Sequence, residues 1–305
     1  MNENAFSPVS LDQIDIDDGI FRAYDIRGIV TSNLTPNMVY WLGRSFATQA
    51  MASSNPKAVT GRDGRISSPA LEQALIAGLV AGGMEVISIG QVPTPVLYYA
   101  THELGTGTGI MITGSHNPPE YNGLKMMIGG VTLAESLIQD LYQNLHNNTL
   151  VEGYGSASSE VLNERYIKQA LAAAKLSRPL KVVVDCGNGV AGEMAPALLR
   201  KLGCEVVPLF CEIDGNFPNH HPDPAEPENL VDLITAVKSE HADVGLAFDG
   251  DGDRLGVVTP KGEIIWPDKM MMLFVEDICA RVPDSTVIFD VKCSRNLEQV
   301  IVQSG

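Results

Sequence analysis

Three aspartates alternate with two glycines in FDGDGDRLG, as Asp249, Gly250, Asp251, Gly252 and Asp253. In extended backbone a period of two puts the carboxylates on one side, and the glycines let the loop close round an ion. Hard oxygen donors in this number suit Mg²⁺ and leave coordination positions for phosphate or water. Counting excludes a calcium loop of the EF-hand kind: from Asp249 as position one, position six is Arg254 rather than Gly and position twelve is Pro260 rather than Glu. A solvated acidic turn would use the same residues, but the apolar run Val244 to Phe248 delivers this loop from a buried strand.

A second cluster is GIMITGSHNPPEYNGLK, Gly109 to Lys125. Its apolar start predicts a strand that ends at Thr113, Gly114, Ser115, His116, Asn117 and Pro118, so Ser115 stands where α/β folds bind ligands. A serine hydroxyl is a weak nucleophile without a base or a positive field; His116, Lys125 and a distant arginine are candidates to supply one. The same residue types also build plain turns. The pattern is not G-x-S-x-G and no Ser-His-Asp spacing is evident, which disfavours a hydrolase triad. Two further segments, FRAYDIRG and GRDGR, gather Arg22, Arg27, Arg62 and Arg65. Guanidinium forks match phosphate oxygens, although each arginine could equally serve a surface ion pair.

Charge connects the clusters. A phosphate on Ser115 adds about −1.5 to −2 to the −3 of the aspartates, so one Mg²⁺ leaves roughly −3. Arg254, Lys125 and Arg27 could balance that excess. Such a site suits phosphoryl transfer, in which metal and cationic side chains stabilise charge on the moving group.

The elements that must carry these loops follow a repeated order. Lys57 to Thr60 predicts a strand, Pro69 to Ala81 a helix ended by Gly82 and Gly83, and MEVISIG the next strand. The order returns as KVVVD, a CGNG turn, a helix from Gly192 to Leu202, Gly203 and CEVVPLF. Strand-helix-strand units of this kind make right-handed parallel crossovers, so successive α/β domains with mixed sheets are expected. A third copy begins at STVIFDV, Ser285 to Val291, with a helix from Arg295 to Gln303 that meets a terminating Gly305. No strand follows, so an incomplete third domain is expected. Gly153 to Ser159, GYGSASS, has linker composition and precedes a helix from Glu160 to Ala174; VTPKG, Val258 to Gly262, resembles a turn between strands.

Composition narrows the function classes. The chain has 305 residues, 45% of them hydrophobic, enough for about two domains. Its net charge of −16 disfavours general nucleic-acid binding, while a local arginine cluster can still admit small anions. The five cysteines form no C-x-x-C pair, so reduced and mostly buried thiols are expected. The N-terminus shows no secretory signal, and the apolar stretch Leu75 to Ile89 is too polar and too short for a membrane span, so a cytoplasmic protein without a membrane partner is expected. His220 and His221 are adjacent and point apart in an extended loop, which reads as structure rather than a metal site.

Taken together, TGSHNP, YNGLK, DGDGDR, FRAYDIRG and FPNHHPDPAEPENL resemble the α-D-phosphohexomutase family, in its bacterial phosphomannomutase/phosphoglucomutase branch. The resemblance runs from Asp18 onward, and GSHNP rather than ASHNP favours the hexose enzymes over the glucosamine branch. It implies a four-domain enzyme whose phosphoserine exchanges a phosphoryl group with hexose 1-phosphate and hexose 6-phosphate through a bisphosphate intermediate. By that resemblance Ser115 is the phosphoserine, and Asp249, Asp251 and Asp253 hold Mg²⁺ together with the Ser115 phosphate. Arg27 and Lys125 flank the transferring group, Lys125 as general acid or base, and His116 positions the loop; Tyr24, Arg254 and Lys292 line the substrate cleft. It further implies domain I over residues 1–152, domain II over 153–257 and the start of domain III over 258–305, with domain IV absent. A hexose 1,6-bisphosphate activator and a monomer are implied for the complete protein, with reduced turnover from a chain lacking the later sugar and phosphate loops. Two other readings stay open: a sugar-phosphate-binding remnant without catalysis, and a Mg²⁺-dependent phosphatase using an aspartyl nucleophile.

Overall fold

A computed structural model describes residues 6–304 of the chain. Met1 to Ala5 and Gly305, the expected helix-ending glycine, lie outside the described residues. The first sheet is built from β1 (Ile26–Ile29), β2 (Lys57–Arg62), β3 (Glu85–Gln91), β4 (Gly109–Ile112), β5 (Tyr121–Ile128), β6 (Val131–Thr132) and β7 (Ser156–Ser159). Its order is β1-β5-β4-β2-β3-β7, with β6 beside β5. Strands β4, β2, β3 and β7 run parallel, whereas β5 is antiparallel to β4, β1 and β6. Between them run α1 (Pro36–Ala52), α2 (Ser68–Ala81), α3 (Thr94–Glu103) and α4 (Ser136–His146).

Helices α1 and α2 cross at small residues. A Cβ on Gly78 would lie 2.1 Å from Tyr40 O, and one on Gly43 would lie 2.8 Å from Leu75 O, so only glycine lets these backbones meet. Their inner faces bury Met38, Phe46, Leu75 and Leu79 against Ile26, Ile110, Ile112 and Leu124 of the sheet. That core holds β4 and β5 rigid, and the Ser115 loop connects those two strands.

The second sheet comprises β8 (Lys181–Asp185), β9 (Glu205–Leu209), β10 (Val244–Phe248), β11 (Leu255–Val258) and β12 (Ile264–Ile265), in the order β12-β11-β10-β8-β9. Helices α5 (Asn163–Ala173), α6 (Ala191–Lys201) and α7 (Val231–Ser239) accompany it. Strands β9, β8 and β10 are parallel, so the loops after β8 and β10 emerge at the same edge. The antiparallel return of β11 makes Asp249 to Arg254 the connection between β10 and β11. Both strand-helix-strand units read in the sequence form parallel pairs, β2-α2-β3 and β8-α6-β9.

Two expectations are corrected. Gly153 to Ser159 is not a free linker: Ser156–Ser159 pairs with β3 as an edge strand of the first sheet. Its small residues allow close approach, since a Cβ on Gly155 would fall 1.9 Å from Met84 O. The turn at VTPKG lies between two strands as expected, closed by Thr259 N donating to Glu263 O at 2.9 Å, and joins β11 to β12. Ser285 to Val291 forms no strand. A strand exists by its ladder, and among the described residues no neighbour pairs with this segment, which leaves Ile288 and Val291 exposed. Helices α8 (Pro267–Arg281) and α9 (Asn296–Ser304) pack on each other through Val275, Cys279 and Leu297.

Candidate active site

The Ser115 loop leaves β4 at a buried position and turns with Ser115 at φ +49°, in the left-handed region that a serine seldom adopts. Its surroundings fix that conformation. Ser115 N donates to Thr113 Oγ1 at 2.7 Å, and Gly114 N donates to Asp63 Oδ2 at 3.1 Å. The buried Arg65 guanidinium then ties the loop together through its carbonyls. Nη2 donates to Ser115 O at 2.9 Å and Asn117 O at 2.6 Å, and Nη1 to Pro118 O at 2.6 Å and Tyr121 O at 2.9 Å. Asp63 pairs with Arg65 at 3.2 Å, and the guanidinium lies 5.1 Å from the Phe217 ring centroid, on the second-sheet side. Gly114 must be glycine here, since a Cβ would come within 2.3 Å of Arg65 Cζ.

Of the four arginines read as phosphate forks, two are therefore structural. Arg65 spends its donors on the loop backbone, and Arg62 on Glu72 and Gln91, each at 3.0 Å. Arg27 is also buried: Nη1 bonds Gly114 O and, at 2.7 Å, Asn117 Oδ1, while its other nitrogens pair with Asp25. It reaches the cleft at the base of the same loop.

Across the junction between the sheets, Ser115 Oγ donates to Asp249 Oδ2 at 2.9 Å. The other oxygen, Asp249 Oδ1, accepts Asp253 N and Arg254 N, both at 3.0 Å, which curls the loop back on itself. A Cβ on Gly250 would stand 2.3 Å from Ser115 O, so the two loops meet backbone to backbone. Asp251 Oδ2 accepts Thr94 Oγ1 at 2.5 Å and Lys125 Nζ at 2.6 Å; Lys125 Nζ also donates to Asp253 Oδ2 at 2.6 Å. The structure thus brings Asp249, Asp251 and Asp253 together, with one oxygen of each lying within 4.8 Å of the others.

Burial is the largest influence on these groups. Burial, and then the charges of Asp251 and Asp253, push the Asp249 carboxyl well above the usual carboxylate range. Burial would also raise Asp251, but the Lys125 ammonium and the Thr94 hydroxyl outweigh it and hold that carboxyl low. Desolvation would lower Lys125, yet its two carboxylate partners keep the ammonium above its ordinary value. His116 is lowered by burial and then by Arg254, so its ring stays neutral at neutral pH. Its Nδ1 lies 3.5 Å from Ser115 Oγ.

The donor set fits a hard divalent cation. It consists of three carboxylates and a serine oxygen, and Asp251 Oδ1 is buried with no hydrogen-bond partner, an orphan acceptor where a cation would satisfy it.

Above the loops lies a cleft of 460 Å³ lined by Arg22, Tyr24, Arg27, Ser115, His116, Lys125, Asp253 and Arg254, all marked in the sequence. Lys292 is not among its walls. Its side chain is 86% exposed and its nearest acid is Asp290 at 3.9 Å, because the unpaired Ser285 to Val291 segment gives it no sheet edge to project from. Sequence reasoning missed Asp63, Thr94 and Phe217, and also Tyr98, which lines the cleft. Asp63 had a signal, since it sits between two arginines in GRDGR and buried guanidinium needs a counter-ion. Thr94 opens α3 in an ordinary VPTP turn and had none. His220 is structural, as expected: its Nε2 lies 3.0 Å from Asp185 Oδ2 under the loop that carries Pro222.

Two family models match this architecture: phosphoglucomutase/phosphomannomutase alpha/beta/alpha domain I over residues 18–152, and domain II over residues 164–262. The chain belongs to the phosphoglucomutase/phosphomannomutase family. It is 55% identical to a Pseudomonas aeruginosa phosphomannomutase/phosphoglucomutase over 286 residues, covering 94% of this chain and 62% of that relative. A Neisseria gonorrhoeae phosphoglucomutase is 49% identical, over 94% of this chain and 63% of its own length. Among solved structures, a Burkholderia thailandensis family protein superposes with TM-score 0.93 at 46% identity, covering 95% of this chain and 65% of that one. The chain therefore spans just under two thirds of the length of these relatives.

Proposed function

We propose that Ser115 is a phosphoryl-carrying nucleophile in a phosphomannomutase/phosphoglucomutase, with Mg²⁺ held by Asp249, Asp251, Asp253 and the Ser115 phosphate. The 2.9 Å contact between Ser115 Oγ and Asp249 Oδ2 carries this reading, because it joins the serine and the acidic loop into one polar centre. When bound, Mg²⁺ would neutralise charge on the phosphoryl oxygens.

The chain's own residues supply the rest. Ser115 Oγ directs its proton to Asp249 Oδ2 at 2.9 Å, and the His116 ring stands beside it with Nδ1 at 3.5 Å. Arg27 and Arg65 fix the serine carbonyl side of the loop, so the hydroxyl direction is set before substrate arrives. Lys125 is held protonated between two carboxylates and faces the cleft. It therefore offsets charge on the transferring group and can donate a proton to the oxygen from which that group departs. Tyr24 and Arg254, both solvent-accessible in the cleft, are the residues that would meet a hexose phosphate. Lys292 could join them only if its segment docked differently.

Hexose 1- and 6-phosphates as substrates, a hexose 1,6-bisphosphate as activator, a monomeric state and a cytoplasmic site of action belong to the same proposal. The relatives' names support the substrates, and among the described residues no helix is long and apolar enough to cross a membrane. An aspartyl-phosphatase reading is less well supported, because Asp249 is fully buried, spends both oxygens on internal bonds and does not line the cleft. The remnant reading finds its support in the open cleft, in which Tyr24 is 72% exposed. The 305-residue chain assayed alone is therefore expected to accept phosphate at Ser115 while turning over far more slowly than a full-length relative. Phosphosite mapping after incubation with Mg²⁺ and glucose 1,6-bisphosphate tests this: phosphate on Ser115 supports it, and phosphate on Asp249 with Ser115 unmodified would transfer the chemistry to the acid.

A further inference from the structure

Beneath the acidic loop, at the C-terminal edge of the second sheet, two cysteines face each other. Cys211 Sγ lies 3.6 Å from Cys186 Sγ, a hydrogen-bonded contact between two free thiols. The sheet register places them there. Cys186 follows the last residue of β8, its N–H donates to Leu209 O at 3.2 Å, and Phe210, at φ +48°, turns the chain so that Cys211 comes back over β8. Among the described residues no other cysteine has a sulfur partner; Cys204, Cys279 and Cys293 stand apart. The two thiols differ in access, Cys186 being fully buried and Cys211 half-buried.

We propose that Cys186 and Cys211 are a disulfide-forming pair that a peroxide closes, and that its closure loosens the acidic loop. The Cys211 thiolate attacks a hydrogen peroxide oxygen and expels hydroxide, giving a sulfenic acid. The Cys186 sulfur then attacks the Cys211 sulfur, and water leaves with the Cys186 proton. Two thiols and one peroxide thus give one disulfide and two waters. The difference in access assigns Cys211 as the first site of attack. In agreement, the hydrogen bond between the sulfurs lowers the Cys211 thiol and raises that of Cys186.

The link to the acidic loop is short and stiff. A disulfide needs its sulfurs about 2 Å apart, so the pair must close by roughly 1.5 Å. The Cys211 side has little room to yield, because a Cβ on Gly192 at the start of α6 would already lie 2.0 Å from Cys211 O. The movement therefore falls on Cys186 and the turn it roots. In that turn Asn188 N donates to Phe210 O at 2.8 Å and Val190 N donates to Gly250 O at 3.1 Å. Gly250 lies between Asp249 and Asp251, and a Cβ on Gly189 would sit 2.9 Å from its carbonyl. Closing the sulfurs pulls on the support of the acidic loop.

The disulfide itself does not depend on the phosphoserine reading; its effect on the loop rests on the metal assignment. The 305-residue chain is treated with hydrogen peroxide and mapped as non-reduced peptides, and Mn²⁺ affinity is measured before oxidation, after it, and after dithiothreitol. The expected result is a reducible crosslink between the peptides of Cys186 and Cys211, absent in Cys211→Ser and in Cys186→Ala. Mn²⁺ affinity should fall about fivefold or more on oxidation, return on reduction, and stay insensitive to peroxide in Cys211→Ser. Sulfinic Cys211 without a crosslink, or crosslinks through Cys204, Cys279 or Cys293, would overturn the pair. A crosslink that leaves Mn²⁺ affinity unchanged would overturn the coupling. Absent Mn²⁺ binding in the reduced chain would refute the metal assignment and the coupling with it, leaving the disulfide to be judged by the peptide map alone.

Discussion

At the scale of single residues, the site depends on which oxygens are already used. Asp251 gives Oδ2 to Thr94 and Lys125, and its other oxygen is left for a cation. Thr94→Val should therefore weaken Mn²⁺ binding about tenfold, a loss of about 1.4 kcal/mol, by freeing the Asp251 side chain to turn, and Thr94→Ser should restore it. Isothermal titration of the folded variants checks this, and equal affinity in all three would contradict it. His220 gives a test of sign with pH. Desolvation opposes its charge, but the Asp185 carboxylate wins and its folded pKa is raised. Its stabilisation is thus complete below about 6.5, the unfolded value, and is lost as pH rises through the higher folded value. The stability gap between the parent chain and His220→Gln, measured by urea unfolding, should be larger at pH 6 than at pH 9.

At the scale of elements, two loops from two sheets are held in backbone contact by residues that perform no chemistry. Arg65 is the clearest case. Its four carbonyl bonds and its buried pairing with Asp63 predict that Arg65→Met costs about 3–5 kcal/mol, read as a lower urea midpoint, because the four carbonyls and Asp63 lose their guanidinium partner in the interior. Gly250→Ala should act differently, leaving global stability near the parent value while pushing the acidic loop off Ser115 O and reducing both Mn²⁺ affinity and Ser115 phosphorylation. The motifs themselves were legible in the sequence, since spacing, apolar flanks and charge balance point to Ser115, Lys125 and the three aspartates. The roles of the arginines were not. A guanidinium that grips four carbonyls and one that faces a phosphate have the same letter in the sequence, and only the path of the loop decides between them. Thr94 was illegible for a related reason, because its partner Asp251 lies 157 positions away.

At the scale of the whole molecule, two mixed sheets meet where their loops carry opposite charge, so a protein of net charge −16 still presents Arg22, Arg27, Lys125 and Arg254 along one cleft. The repeated strand-helix-strand order made both sheets readable in advance. It failed at Ser285 to Val291, where apolar alternation has strand character but none of the described residues supplies the ladder, and at Ser156–Ser159, where a polar, glycine-led segment became an edge strand by close packing. The central claim is that Ser115 and the acidic loop form one Mg²⁺-dependent phosphoryl site. Its most direct test is the intact mass and phosphosite map of the purified chain, with and without Mg²⁺ and glucose 1,6-bisphosphate. The account predicts one phosphoryl group on Ser115, gained only with Mg²⁺ present and absent in Ser115→Ala and Asp251→Asn. An unmodified Ser115 under all conditions, or an equal gain without metal, would contradict it.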